Sequence, residues 1–456
     1  MSSEWLDLPL GEILTLQRGH DLPSQSRLPG DIPVMGSSGI TGFHNVAKST
    51  GPGVIVGRSG NSMGEISYSA TDFWPLNTAL YVTDFKGSDP KFVYYLLTTV
   101  NFDQFNSGSA QKSLNRNAVY PFEVRIPTSV KEQRRISAVL SALEDKVATN
   151  HQINQTLEQM AQAIFKSWFV DFEPVKAKIA ALEAGGSEED ALLAAMQAIS
   201  GTALFDADAS AASVAEQLAR LQAERPEQYA ELRATAELFP SAMQDSELGE
   251  IPEGWDCLSL DAIAKYQNGL ALQKFRPENE GDYLPVVKIA QLKKGYADGV
   301  EKASPNIKPG CIIDNGDVVF SWSGSLMVDT WCGGKAALNQ HLFKVTSDTY
   351  PKWLYFLFTR HHLEEFKRIA ADKAVTMGHI KREHLKRALC AIPDERLIGK
   401  AGNSLSNIIE KQIELRLESI TLSTLRNTLL PKLLSGELSI SEEKPELAGS
   451  EEAASV

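Results

Sequence analysis

Residues 5–19, WLDLPLGEILTLQRG, and residues 255–269, WDCLSLDAIAKYQNG, align without gaps at an offset of 250. They share Trp5/Trp255, Leu8/Leu258, Leu10/Leu260, Ile13/Ile263, Gln17/Gln267 and Gly19/Gly269, six identities in fifteen positions. Working outward, the same features recur in the same order. Residues 54–60 (VIVGRSG) match 318–324 (VVFSWSG), an apolar strand running into a Ser-Gly turn. Residues 76–81 (LNTALY) match 338–343 (LNQHLF), and the aromatic run 92–97 (FVYYLL) matches 353–358 (WLYFLF). Each copy closes on a short strand ending in Ile-Pro, at 122–127 and 388–393. A repeat of this length means one structural unit built twice. Within each copy, short β-rich runs alternate with Gly/Ser/Asn/Pro turns, and helices gather at the ends. The expected fold is α/β (α+β): two homologous mixed α/β modules, each around a twisted, mostly antiparallel sheet.

A helix follows each module. Residues 130–168 contain neither Gly nor Pro, and positions 136, 140, 143, 147, 150, 154, 157, 161, 164 and 168 step by four and three. They hold Ile, Leu, Leu, Val, Asn, Asn, Leu, Ala, Ile and Trp, a heptad seam with Asn150 and Asn154 as register-fixing polar positions. At 1.5 Å per residue the stretch is about 55 Å long, too long to lie on one globule. In the second helix Ile408, Leu415, Leu422 and Leu429 recur every seven residues. Either stripe alone reads as a core-facing helix. Two of them, each after a copy of one module, predict an antiparallel coiled-coil pair between the modules. The expected segments are a first module at 1–130, a spacer helix at 131–175 and an acidic, Ala-rich connector with short helices at 176–250. A second module at 251–396, a second helix at 397–438 and a disordered acidic tail at 439–456 complete the chain.

The chain of 456 residues is too long for one core and carries a formal charge of −13. Most of that charge sits in the connector, at −9, whereas 1–130 carries −2 and 251–396 carries +2. Composition therefore neither supports nor excludes DNA binding. The most basic window, 360–387, holds eight Lys/Arg against four acids; such windows are commonly a solvated helix face. No secretory signal opens the sequence and no apolar run is long enough to span a membrane. The four cysteines form no CxxC pair, which argues against zinc and suits a reducing cytoplasm. No Walker A loop, GxGxxG, HExxH, GxSxG or Pro-Pro-aromatic methyltransferase motif occurs. Neither catalysis by this chain nor any cofactor is expected.

Four stretches together resemble the specificity (S) subunit of type I restriction–modification enzymes. They are 127–140 (PTSVKEQRRISAVL), similar to that family's P-x-x-E-Q-x-x-I pattern, and 163–172 (AIFKSWFVDF) at the end of the first helix. The others are 429–438 (LLPKLLSGEL) and 246–255 (SELGEIPEGW), which leads into the second module. The second helix departs from the pattern: 392–399 (IPDERLIG) lacks the Glu-Gln pair. The resemblance implies a non-catalytic subunit whose two target recognition domains each read half of a bipartite DNA sequence. It also implies helices that set the gap and dock two methyltransferase subunits, with ATP-using restriction subunits joining them. Half-sites on one face of a duplex lie roughly 34 Å apart, a distance that helices of this length could span.

Turns rich in Ser, Asn, Gln, Lys and Arg are the candidates for groove contacts, because Gln and Asn pair with adenine and Arg or Lys with guanine. In the first module these are Arg58, Ser59 and Asn61, and Ser109, Gln111, Lys112, Ser113, Asn115, Arg116 and Asn117. In the second they are Trp322, Ser323, Lys373, Thr376, His379, Lys381 and Arg382. Leu140, Leu143, Val147, Leu157 and Ile164, with Ile408, Leu415, Leu422 and Leu429, are the candidate helix-pairing and partner-docking residues. The rival reading is a tandem-module coiled-coil scaffold that binds proteins and no DNA.

Overall fold

The structure, a computed structural model, describes residues 4–108, 111–203, 211–279, 281–371 and 378–440. It divides into two compact units, residues 1–148 with 419–456, and residues 149–418. Each holds one copy of the repeat and part of each long helix.

In the first unit an antiparallel sheet runs in the order Thr15–Arg18, Ala79–Asp84, Gly53–Gly57 and Ile66–Ser69. Val54, Ile55 and Val56, β-branched and fully buried, make Gly53–Gly57 an interior strand. A smaller sheet of Gly39–His44, Ile32–Gly36 and Trp74–Pro75 has its last pair parallel. Trp5–Pro9 pairs with Glu123–Pro127 and ties the ends of the module together. Helix Pro90–Thr98 starts where Asp89 accepts from the amide of Phe92 at 3.0 Å, with Pro in the first turn. It lays Phe92, Val93, Leu96 and Leu97 into the core.

The second unit repeats the plan. Its sheet is Lys265–Asn268, Leu342–Thr346, Val318–Ser321 and Met327–Thr330, antiparallel in the same order. A second sheet joins Leu284–Val287 to Ala336–Leu338 in parallel, as Ile32–Gly36 joins Trp74–Pro75 in the first unit. It gains an extra strand, Ile312–Ile313. Asp256–Ser259 pairs with Leu389–Ile392 to close the module.

The shared residues sit where the backbone leaves no choice. Leu10 and Leu260 are completely buried, and their amides donate to the carbonyls of Phe122 and Ala388. A Cβ on Gly19 would lie 2.2 Å from the Leu76 carbonyl oxygen, and one on Gly269 2.2 Å from that of Leu338, so only glycine fits either position. The ladders also correct one alignment. The repeated Leu-Asn pairs Leu76 with Leu338 in sequence, yet Leu76 donates to Met35 where Asn339 donates to Val287. Leu80 faces Val56 where Phe343 faces Phe320. The true equivalence is one residue further on, Leu76 with Asn339 and Asn77 with Gln340. A slip of one residue exchanges the faces of a strand, so the ladder decides and the identity does not.

Helices Val130–Phe169 and Glu395–Ser435 are both long and run antiparallel within each unit. In the first unit Ile136 and Leu140 pack with Leu433 and Leu434, and Arg426 meets Glu144 at 3.1 Å. In the second, Asn150 donates to Glu418 at 2.8 Å, and Gln412 donates to the Asn154 carbonyl and to Glu158, both at 3.2 Å. Leu140, Ile164 and Leu415 are buried, whereas Leu143, Val147, Leu157, Ile408, Leu422 and Leu429 are half-buried. Gln133 gives the Glu-Gln motif its physical meaning: buried, it donates to the Pro127 carbonyl at 3.0 Å and accepts from the Asp89 amide at 2.8 Å. The second helix needs no such pair, because Asp394 accepts from the Leu397 amide at 2.8 Å. Gly402 lies against the Trp353 indole, 3.2 Å from where its Cβ would be.

The acidic stretch does not stand apart as a solvated connector. Helices Glu173–Glu183, Glu188–Ala203, Ala211–Glu224 and Pro226–Glu237 bury Val175, Leu192, Ala195, Met196, Leu218 and Ala236 in the core of the second unit, and Phe239 follows them into it. Phe165, Trp168, Phe169 and Phe172 of the AIFKSWFVDF run join them, with Phe169 at 6.0 Å from Trp255 and 5.4 Å from Trp353. Lys178 is buried and donates to the Phe239 carbonyl, and that burial holds its ammonium below the usual lysine range. Trp5 packs on Gly436 in the first unit as Trp255 packs on Phe169 in the second. Among the described residues no helix is long and apolar enough to cross a membrane, and no His/Cys/Asp/Glu group could hold a metal. All four cysteines are unbonded. Of the expected acidic tail, residues 441–456 lie outside the described residues.

Candidate nucleic-acid interface

In the first unit the turn after Gly53–Gly57 and the segment 111–113 meet in one short ladder. Ser59 bridges Ser113, the Gly60 amide donates to the Lys112 carbonyl at 3.0 Å, and the Leu114 amide donates to Arg58 at 2.8 Å. Beside them is an open cleft of about 340 Å³ lined by Arg18, Arg58, Ser59, Asn77, Thr78, Gln111, Lys112 and Ser113. Five of these are among the residues expected from sequence. The Asn77 carbonyl accepts from Arg18 Nε and from Arg58 Nη1, each at 3.4 Å, and the Asn77 amide group donates to Asp21. Asn61 is exposed nearby. Lys112 is held by Asp103 at 2.6 Å.

Other candidates are turned to structural work. Asn115 caps the short helix Arg116–Val119 by accepting from the Asn117 amide at 3.0 Å. Arg116 reaches back to the Leu16 carbonyl at 3.0 Å. Ser109 lies outside the described residues.

The second unit builds the same ladder. Ser323 bridges His379, the Gly324 amide donates to the Gly378 carbonyl at 2.9 Å, and the Ile380 amide donates to Trp322 at 3.0 Å. Arg382 reaches the Tyr266 carbonyl at 3.0 Å, the twin of the Arg116 contact. Beneath it Tyr266 bonds Thr359 at 2.7 Å, and burial drives its phenol well above the ordinary range, so it stays neutral. Trp322 stands where Arg58 does, its ring centroid 5.8 Å from His341 and 6.2 Å from His379. Its indole donates to the Gln340 carbonyl at 3.2 Å. Ser323 is buried and bonded to His341 at 2.9 Å, so it supports the turn and offers little to a ligand. Lys381 is exposed beside Glu383, at 3.9 Å. Lys373 and Thr376 lie outside the described residues.

Reading the sequence missed Arg18, Asn77 and Thr78, with their counterparts Asn268, Gln340 and His341. Arg18 was within reach: it directly precedes the shared Gly19 and differs from Asn268 at the same offset.

Comparison with known proteins follows the same lines. A protein family described as "Type I restriction modification DNA specificity domain" matches residues 2–159 and 252–419, once for each module. The type I restriction enzyme HindI specificity subunit of Haemophilus influenzae is 28% identical over 367 residues, 76% of this chain and 77% of that one. The MjaIX specificity subunit of Methanocaldococcus jannaschii is 23% identical over 366 residues, covering 77% and 70%. In fold, the chain is similar to the crystal structure of the type I restriction–modification S subunit from M. genitalium. That likeness has a TM-score of 0.53 at 13% identity and covers 95% of this chain and 96% of that one. With the family matched twice over most of its length, this chain belongs to the type I restriction–modification DNA specificity family.

Proposed function

We propose that the chain is the non-catalytic sequence-reading subunit of a type I restriction–modification complex, and that each unit reads one half of a bipartite, asymmetric target in double-stranded DNA. The observation that carries this reading is the doubled ladder: one backbone arrangement presents Arg58 and Ser113 in one unit and Trp322 and His379 in the other. One frame with two different linings suits two different half-sequences. The long helices set the gap between half-sites. Their outward Ile153, Met160, Ile420 and Leu425, all exposed, suit docking of two methyltransferase subunits that methylate adenine, with ATP-using restriction subunits joining the assembly. Net charges of −2 and +2 on the modules leave much of the phosphate neutralisation to those partners. A role on genomic DNA implies a cytoplasmic protein.

The test maps methylated adenines in host DNA with and without the gene. A bipartite motif should vanish on deletion. Removing one heptad from both helices, residues 143–149 with 420–426, should then shorten the gap by about 10 Å, or roughly three base pairs. An unchanged gap with normal methylation refutes the ruler, and a motif that persists without the gene refutes the reading as a whole.

A further inference from the structure

We infer that the cleft of the first unit reads guanine through Arg18 and Arg58, so that the half-site it binds contains guanines contacted in the major groove. The inference rests on the DNA-reading function proposed above and names the bases that one unit takes.

Three observations carry it. First, neither guanidinium has a carboxylate within ion-pair distance among the described residues, although both line one cleft. Each makes one weak bond at 3.4 Å to the same Asn77 carbonyl. Arg18 spends its Nε there and keeps both terminal nitrogens. Arg58 spends Nη1 and keeps the Nε/Nη2 edge. Each retains a two-pronged donor face, the arrangement that matches O6 and N7 of guanine.

Second, the lining is that of a base edge more than of a phosphate. Gln111, Asn77, Thr78, Ser59 and Ser113 bring amides and hydroxyls that both donate and accept. The one lysine in the cleft is already paired with Asp103.

Third, the two units can be compared position by position, because the ladder hydrogen bonds fix the equivalence. The phosphate backbone is the same in every sequence, so residues that grip it have no reason to differ between sibling modules. Residues that read bases must differ if the half-sites differ. Arg18 corresponds to Asn268, Arg58 to Trp322, Asn77 to Gln340, Thr78 to His341 and Ser113 to His379. Arg116 and Arg382 do not differ, and both bond a backbone carbonyl. Both cleft arginines have been replaced in the second unit, by Asn268 and Trp322. Guanine reading by arginine is therefore assigned to the first unit, since Asn268 and Trp322 stand at the equivalent positions of the second.

The experiment uses the full chain assembled with type I methyltransferase subunits, on its own mapped target. Each guanine is replaced in turn by 7-deazaguanine, which lacks the N7 acceptor and otherwise pairs normally. The wild-type assembly should lose roughly 5- to 150-fold in affinity at one or two guanines of a single half-site. With Arg58→Ala or Arg18→Ala, the same replacement should cost nothing further, while sensitivity in the other half-site stays unchanged. If no guanine responds in the wild type, the inference is overturned without any variant having to fold. It is equally overturned if Arg58→Ala weakens all sequences alike and lowers the salt slope by about one, the signature of a phosphate contact. If the assembly selects no bipartite DNA at all, the proposed function itself fails, an outcome distinct from the other two.

Discussion

In the first unit the Asn77 carbonyl accepts a hydrogen bond from the guanidinium of Arg58; in the second the Gln340 carbonyl accepts one from the indole of Trp322. The acceptor, the turn that presents the donor and the strand beneath are the same. Only the donor's chemistry has changed, from a charged fork to a flat ring tilted against His341 and edge-on to His379. Around these divergent positions lies a shell that has not diverged: Leu10 and Leu260, Gly19 and Gly269, Arg116 and Arg382. The contrast separates what the fold demands from what a target demands. Buried leucines and close-approach glycines answer to packing, which is the same in both units. Cleft side chains answer to whatever lies outside.

The largest effects should come from the unchanging shell. Leu10→Ala and Leu260→Ala each empty a completely buried site. Each should destabilise its own unit by about 3 kcal/mol, the middle of the range for large-to-small core changes. Thermal unfolding of the full chain, with hydrogen exchange in strands Thr15–Arg18 and Lys265–Asn268 to tell the units apart, measures both. A cost in one unit less than half that in the other would break the equivalence of the modules.

A smaller effect separates the two classes of arginine. Arg116→Ala and Arg382→Ala each remove a charged donor from the carbonyl of a buried residue, Leu16 or Tyr266, and each should cost about 1 kcal/mol of stability. Arg58→Ala, whose side chain makes one long hydrogen bond among the described residues, should leave the unfolding midpoint within error and change DNA selection alone. If Arg58→Ala destabilised the chain as much as Arg116→Ala, the cleft arginine would be a scaffold residue after all.

Much of this was legible in the residue order, for identifiable reasons. The duplication showed because Trp5, Leu10, Ile13 and Gly19 serve the core or a close backbone approach, and such positions tolerate few substitutes. The first helical seam showed because Ile136, Leu140 and Ile164 are apolar and buried. Half of the second seam did not. Beside Ile408, Leu415, Leu422 and Leu429 runs a second line of Leu405, Gln412, Ser419, Arg426 and Leu433. Three of those five are polar, and they meet polar partners across the helix pair: Gln412 with Asn154 and Glu158, Arg426 with Glu144. A pattern search counts apolar residues and passes over such a line. The acidic stretch misled for the opposite reason. Its charge dominates the composition, while its core contribution comes from a few residues such as Leu192, Met196 and Phe239. The cleft was half legible: the Arg58–Ser59 turn and the 111–113 segment stand out as polar, but Arg18 and Asn77 reach the site only through strand pairing. The identical Leu-Asn pairs pointed one residue astray, because sequence identity carries no information on which face of a strand a residue occupies.

The smallest expected effect concerns protons, and it too should fall on one unit only. His362 is 8% exposed, where Nε2 lies 3.0 Å from the Leu389 carbonyl and Nδ1 3.4 Å from Glu365. Burial lowers its pKa from the ordinary 6.5, outweighing the Leu389 and Glu365 contacts, which act to raise it. The first unit has no histidine in residues 99–117, the stretch that follows its own module helix. Because the folded state binds this proton more weakly than the unfolded chain does, the contribution to stability is fully present above pH 6.5. It is lost progressively as the pH falls through the folded-state value. Acidifying from pH 7 to 5.5 should therefore loosen strand Leu389–Ile392 of the second unit more than the matching strand Glu123–Pro127 of the first, seen as a larger fall in amide protection relative to the intrinsic exchange rate at each pH. His362→Gln, which carries no titrating proton, should narrow that difference between the units. If exchange in the two strands responds equally to acid in the wild type, or if the substitution leaves the gap as it was, the asymmetry does not come from His362.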